Sequence, residues 1–131
     1  MRQYAGEQFI FSAVTATGTG TAFYVPDFMH LFFILSSASS ANFTIKFQGS
    51  YSDSAPNFSS AQSNTNRWDY VQVRDMQNNS AIDGDTGVAF AGTDDVRQFE
   101  CNVNGLKWIC ATITARSAGA ISLRLQAFSN N

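Results

Sequence analysis

From Arg97 to Phe128 apolar residues recur at every second position, interrupted only at two small-residue breaks. Phe99, Cys101 and Val103 lead into Asn104-Gly105. Leu106, Trp108 and Cys110 then alternate with Lys107, Ile109 and Ala111. After a break at Ser117-Ala118-Gly119, Ile121, Leu123 and Leu125 alternate with Ser122, Arg124 and Gln126. A period of two places successive side chains on opposite faces of a strand and is incompatible with the 3.6-residue period of a helix. The middle run is apolar on both faces. It is therefore a central strand covered on both sides, or a strand with a partner molecule against one of them.

The same reading extends upstream. Gln8 to Val14 and Thr21 to Val25 read as strands, separated by Thr15-Ala16-Thr17-Gly18-Thr19-Gly20 and closed by Pro26-Asp27. His30 to Ser36 is an apolar run of strand length. Ser37, Ser39 and Ser40 mark a turn, and Asn42 to Tyr51 alternates with Phe43, Ile45 and Phe47 on one face. Residues 52–67 form a polar loop containing Pro56, Ser and Asn; loops of this length are typically functional or disordered. Trp68 to Met76 resumes strand character, Asn78-Asn79-Ser80 turns, and Val88 to Phe90 forms a short strand between two Asp/Gly-rich bends. The expected architecture is all-β. It is a single β-sandwich or jelly-roll-like domain of about eight to nine antiparallel strands spanning residues 8–131, preceded by a short arm at 1–7. A chain of 131 residues fits one domain.

Charge limits the function classes. Only 14% of residues are charged, against 44% hydrophobic and twelve Phe, and an average domain carries about 25% charged residues. Two readings fit: a permanent partner or homo-oligomer (trimer or dimer) that covers part of the surface, or an uncharged β protein rich in Ser, Thr and Asn. The net charge of −2, with no Lys/Arg run, gives no basic face for nucleic acid and no polybasic membrane patch. The N-terminus lacks the apolar stretch of a signal peptide, and the run from Leu31 to Leu35 is too short to span a bilayer. The chain is expected to be cytosolic at synthesis.

The chemistry-bearing residues are sparse. A two-residue type I′ turn at Asn104-Gly105 sets Val103 opposite Leu106, Cys101 opposite Trp108 and Phe99 opposite Cys110. The two sulfurs are then diagonal neighbours with Cα atoms about 7–8 Å apart, beyond disulfide reach, so free packed thiols are expected. His30 is the single histidine. It heads an apolar run with Asp27 in a turn nearby, and no nucleophile accompanies it. Asp83, Asp85, Asp94 and Asp95 lie on glycine-rich bends; they suit turns, and they lack the ligand order of a calcium loop. No carboxylate pair stands out for glycoside hydrolysis. Trp68, Tyr70 and Tyr51 are either core aromatics or a platform for sugar rings. The expectation is no catalytic residues, no cofactor and no metal.

Phe43-Thr44-Ile45-Lys46-Phe47-Gln48-Gly49-Ser50, then Trp68-Asp69-Tyr70-Val71-Gln72-Val73, Ile82-Asp83-Gly84-Asp85-Thr86-Gly87, Asn104-Gly105-Leu106-Lys107-Trp108-Ile109 and the closing strand Ile121 to Phe128 follow one another in an order that resembles a known group. These are the small all-β structural proteins of tailed bacteriophage virions, and within them capsid decoration (cement) proteins and head-fibre domains. The resemblance covers about residues 20 to 128, and its most specific piece is the Asn-Gly-Leu-Lys-Trp turn. It implies a non-enzymatic virion protein that binds the capsid's outer surface at junctions of major capsid subunits, as an oligomer. The arm here is shorter than the Gly/Pro-rich arm of some decoration proteins. Expected capsid contacts are Arg2, Gln3, Tyr4 and Phe58. Leu31, Phe33, Leu35, Ile109 and Ile113 are the expected self-association surface. A carbohydrate-binding module of a fibre or tail tip, and a tail or connector component, are the alternatives.

Overall fold

A computed structural model of the protein describes residues 4–26, 28–92, 95–102 and 105–128. The described residues form ten strands and no helix, and thus no helix long and apolar enough to cross a membrane. The strands are β1 (Tyr4–Val14), β2 (Gly18–Thr19), β3 (Phe23–Tyr24), β4 (His30–Ser50), β5 (Asp69–Tyr70), β6 (Val73–Asp75), β7 (Ala81–Ile82), β8 (Val88–Ala91), β9 (Val96–Asn102) and β10 (Trp108–Phe128). Tyr4 to Glu7 thus belong to β1, where an arm was expected. Arg2, Gln3, Asp27, Asp94, Val103 and Asn104 lie outside the described residues.

Two 21-residue strands carry the architecture. β4 and β10 pair antiparallel along their whole length, from Ser50↔Trp108 to His30↔Phe128. All other strands attach directly or indirectly to this ribbon, in one antiparallel sheet of order β1-β10-β4-β9-β6-β7 with β2, β3, β5 and β8 as branches. The ribbon nonetheless makes a two-layered core by doubling back. The rings of Phe33 and Phe47, both on β4, have centroids 4.5 Å apart. Fourteen residues of straight strand would separate them by about 46 Å at about 3.3 Å per residue. One half of the ribbon, flanked by β1 and β9, therefore faces the other half, flanked by β2, β3, β5 and β8.

The corner lies where turns were expected. Ser39 and Ser40 have φ of 64° and 52°, and Gly119 has φ of 90°. The ladder slips between Ile113/Ala115, Arg116/Ala118 and Ala118/Ala120. Bulges of this kind bend a strand without ending it. The Ser-rich segment and the Ser117-Ala118-Gly119 break were each read as separating two strands. They are one fold line crossing two continuous strands, with Arg116 Nε donating to the Gly119 carbonyl at 2.9 Å.

The turn expected at Asn104-Gly105 begins outside the described residues, and among the described residues β9 and β10 do not pair with each other. Each pairs with β4, β9 along its first half and β10 along its whole length. Alternation specifies which face a side chain takes but not which strand lies alongside, and β4 lies between the two. Cys101 is opposite Leu31 and Cys110 opposite Gln48, toward the two ends of β4. Both thiols are free and buried, as expected, but they are not neighbours. Burial, with a smaller contribution from the Glu100 charge, pushes Cys101 from 9.0 up to about 12. Burial likewise pushes Cys110 up to about 11, against the opposing effect of its contacts to the Ala111 and Gly20 carbonyls. Such thiols are inert. Ellman's reagent should label neither in the native protein at pH 8 and both after unfolding. Between pH 9.0 and about 11 the unfolded chain loses thiol protons that the folded chain keeps. Stability contributed by the neutral thiols is therefore complete below that window and falls as pH rises through it. The stability gap between the native protein and a Cys101→Ala/Cys110→Ala variant should shrink across the same window in urea titrations.

The core also corrects the expected self-association surface. Leu31, Phe33, Leu35 and Ile109 are 0% exposed and Ile113 is 1% exposed within a single chain. They line the space between the two layers, together with Phe47, Phe99, Ile45 and Leu123. The doubly apolar run of β10 is thus covered by the chain's own second layer. At its outer face Gly20 crosses it, donating its N–H to the Ala111 carbonyl and accepting from Cys110 Sγ.

Candidate functional site

The outer face of the β4/β10 layer is where polar and aromatic groups collect. On β4 this face carries Lys46, Gln48 and Ser50; on β10 it carries Thr112, Cys110 and Trp108, paired with them in register. The 52–67 segment packs over this face and is tied together by its own side chains. Asn66 is the clamp: its Oδ1 accepts from Asn57 N–H at 2.8 Å, and its Nδ2 donates to the carbonyls of Asn57 at 2.9 Å and Ala61 at 3.0 Å. Asn side chains that satisfy nearby backbone groups hold a loop as secondary structure holds a strand.

Phe58 fastens this loop to the sheet. Its side chain is 6% exposed, and its carbonyl accepts from Gln48 Nε2 at 3.0 Å. An expected capsid contact is therefore an interior anchor. A hydrophobic residue in a polar loop carries the same sequence signal in either role. The indole of Trp68 is locked beside it, with Nε1 donating to the Ser60 carbonyl at 3.0 Å and ring centroids 6.1 Å from Phe58. Tyr70 meets Trp68 edge-on at 5.1 Å and 82°, and the Lys46 ammonium lies 4.9 Å from the Tyr70 centroid.

Trp68 divides two grooves. One, of about 690 Å³, is lined by Tyr51, Val71, Leu106, Arg67 and the exposed ion pair of Lys107 with Asp53. In that pair the hydrogen bond, then the charge, of Lys107 holds the Asp53 carboxyl below its usual value, and Asp53 raises Lys107. The other groove, of about 410 Å³, is lined by Gln48, Phe58, Tyr70, Thr112 and Thr114. The three aromatics read together from sequence are thus split. Tyr51, 68% exposed, belongs to the first groove, Tyr70 to the second, and Trp68 to both. Gln48, Thr112 and the Phe58 carbonyl carried no sequence signal as site residues, because their convergence depends on the loop folding over the sheet.

The remaining candidates are dispersed. His30 is half-buried at the head of β4, opposite Asn102 and Phe128. Asp83 caps its own bend, accepting from Asp85 N–H at 2.8 Å and, through its carbonyl, from Thr86 and Gly87. Asp75 is buried in an ion pair with Arg97 that joins β6 to β9. Among the described residues no group of three His, Cys, Asp or Glu side chains could hold a metal ion. Tyr4 pairs with Phe128 through β1.

No protein-family model matches the chain, and no curated protein matches it in sequence. Its fold is similar to that of the SPBc2 prophage-derived protein YomS, with a TM-score of 0.71 at 14% identity, covering 98% of this chain and 96% of that one. It is also similar to the PBSX exported protein XepA, with a TM-score of 0.72 at 15% identity. That match covers 98% of this chain and 38% of the longer XepA chain.

Proposed function

We propose that this chain is a non-enzymatic, phage-associated structural protein that decorates the capsid, binding its outer surface at junctions of major capsid subunits as a homo-oligomer. The observation that carries this reading is the correspondence of the whole domain, end to end, with a prophage-derived protein of the same extent. The same architecture occupies 38% of a longer exported protein. A domain that stands alone in one setting and forms part of a chain in another behaves as a portable docking unit, in which binding surfaces change while the core is kept.

β1 is the natural place for a partner. It is an 11-residue strand at one end of the sheet order, so outside Ile10, whose carbonyl already accepts from Thr21 N–H, its edge away from β10 can accept a neighbouring strand. Arg2, Gln3 and Tyr4 precede or begin it, which keeps them as the capsid-contact residues of this reading. The low charge of the chain, 14%, favours a surface partly covered in the assembly.

Co-sedimentation tests the proposal. The purified chain, added to capsids lacking it, should pellet with them at a fixed ratio to the major capsid protein. Deleting residues 1–3, which precede β1, should abolish pelleting while leaving the urea midpoint of the free protein close to its starting value. A chain that stays in the supernatant with intact capsids, and is missing from purified virions by mass spectrometry, refutes the reading.

A further inference from the structure

Gln48 is 1% exposed, and its Nε2 is committed to the Phe58 carbonyl at 3.0 Å. Its Oε1 has no hydrogen-bond partner. The Phe58 carbonyl fixes the amide's orientation, because only the NH₂ end can donate to it. Buried side-chain oxygens are normally satisfied, so this one calls for an explanation. Gln48 lies on the wall of the 410 Å³ groove, whose other walls include Trp68, Tyr70, Thr112, Thr114 and Ser60.

We propose that this groove is a binding site for a neutral saccharide, with a sugar ring against Trp68 and a sugar hydroxyl donating to Gln48 Oε1. Three features of the groove select that class. No described residue lining it is charged, and the neighbouring Lys46 ammonium is engaged over the Tyr70 ring, so the lining itself offers a charged ligand no counter-charge. Aromatic rings stand beside Thr and Ser hydroxyls, which suits a ligand with an apolar C–H face and a hydroxyl-bearing edge. The volume lies at the low end of the about 300–1,000 Å³ typical of ligand pockets, which fits one or two sugar rings. The indole is already immobilised by its bond to Ser60 and its edge contact with Tyr70, so little ordering accompanies binding. None of the residues lining this groove belongs to β1.

The test is an NMR titration of the ¹⁵N-labelled full chain with glucose-, galactose- and N-acetylglucosamine-based disaccharides, carried to about 10 mM, tenfold above a Kd of about 1 mM. The Trp68 indole and Gln48 side-chain amide signals should move and saturate, while the Trp108 indole signal stays in place. Trp68→Ala should weaken binding by at least about tenfold. Thr112→Val should weaken it severalfold, and Tyr51→Ala, in the neighbouring groove, should leave it unchanged. Sialyllactose should bind no better than lactose. The proposal is overturned if no sugar moves these signals, if the shifts map to Tyr51 and Leu106, or if a folded Trp68→Ala binds as before. Should Trp68→Ala fail to fold, the mapping on the native chain and the Thr112→Val affinity decide.

Discussion

Gly119→Ala should remove a large part of this protein's stability. Gly119 sits at the fold line with φ of 90°, and a Cβ built there lies 2.4 Å from both Cα and Cβ of Ala41 and 2.7 Å from the Ala38 carbonyl. The backbone conformation alone costs a non-glycine residue about 1–3 kcal/mol. Overpacking against main chain, which cannot rotate away, adds about 1–3 kcal/mol. Together these reach about 4 kcal/mol, a large part of a domain stability of about 5–15 kcal/mol. Gly92→Ala is the matched control, with φ of 77° and nothing within 4 Å of the added Cβ, so it should cost only the backbone share. Urea denaturation followed by tryptophan fluorescence reads both. Equal midpoints for the two variants would mean that close approach at the corner is unimportant.

Phe47→Ala should be nearly as damaging, for a different reason. Phe47 is 1% exposed on β4, and its ring meets Phe33 at 4.5 Å and Phe99 at 6.0 Å. Phe33 and Phe99 are opposite one another in the other layer, so Phe47 spans the gap between the halves of the folded ribbon. Truncating a buried Phe costs about 3–5 kcal/mol, through lost transfer energy and the cavity left behind. Phe9→Ala, at a ring 43% exposed and covered by the Arg124 guanidinium at 4.8 Å, should cost less than about 1 kcal/mol. Thermal unfolding by circular dichroism separates the two outcomes. A small loss at Phe47 would contradict the two-layered packing.

Strand content was legible wherever one face of a strand is buried. In the Phe43–Phe47 and Ile121–Leu125 runs every second residue is in the core, as their alternation requires. Strand limits were less legible at the corner. Serine and glycine clusters signal a change of backbone direction, but the same residues serve a turn that ends a strand and a bulge that bends one. The candidate groove was half legible. Trp68 and Tyr70 were visible as a pair two residues apart, whereas Gln48 read as an ordinary strand residue and Phe58 as a loop aromatic for capsid contact. Their contact joins positions whose proximity depends on how the 52–67 loop crosses the sheet.

The sequence by itself determined the all-β class and most of the in-or-out placement of side chains, because the two-residue period of a strand ties burial directly to composition. Partnership was decided by tertiary structure alone. β9 and β10 are consecutive and each alternates, yet both pair with β4. Backbone hydrogen bonds are the same whichever strands exchange them, so residue types leave the pairing open. Doubling the β4/β10 ribbon at Ser39, Ser40 and Gly119 brought Phe33 onto Phe47. That packing turned the residues expected to attract another copy of the chain into the interior of a single one.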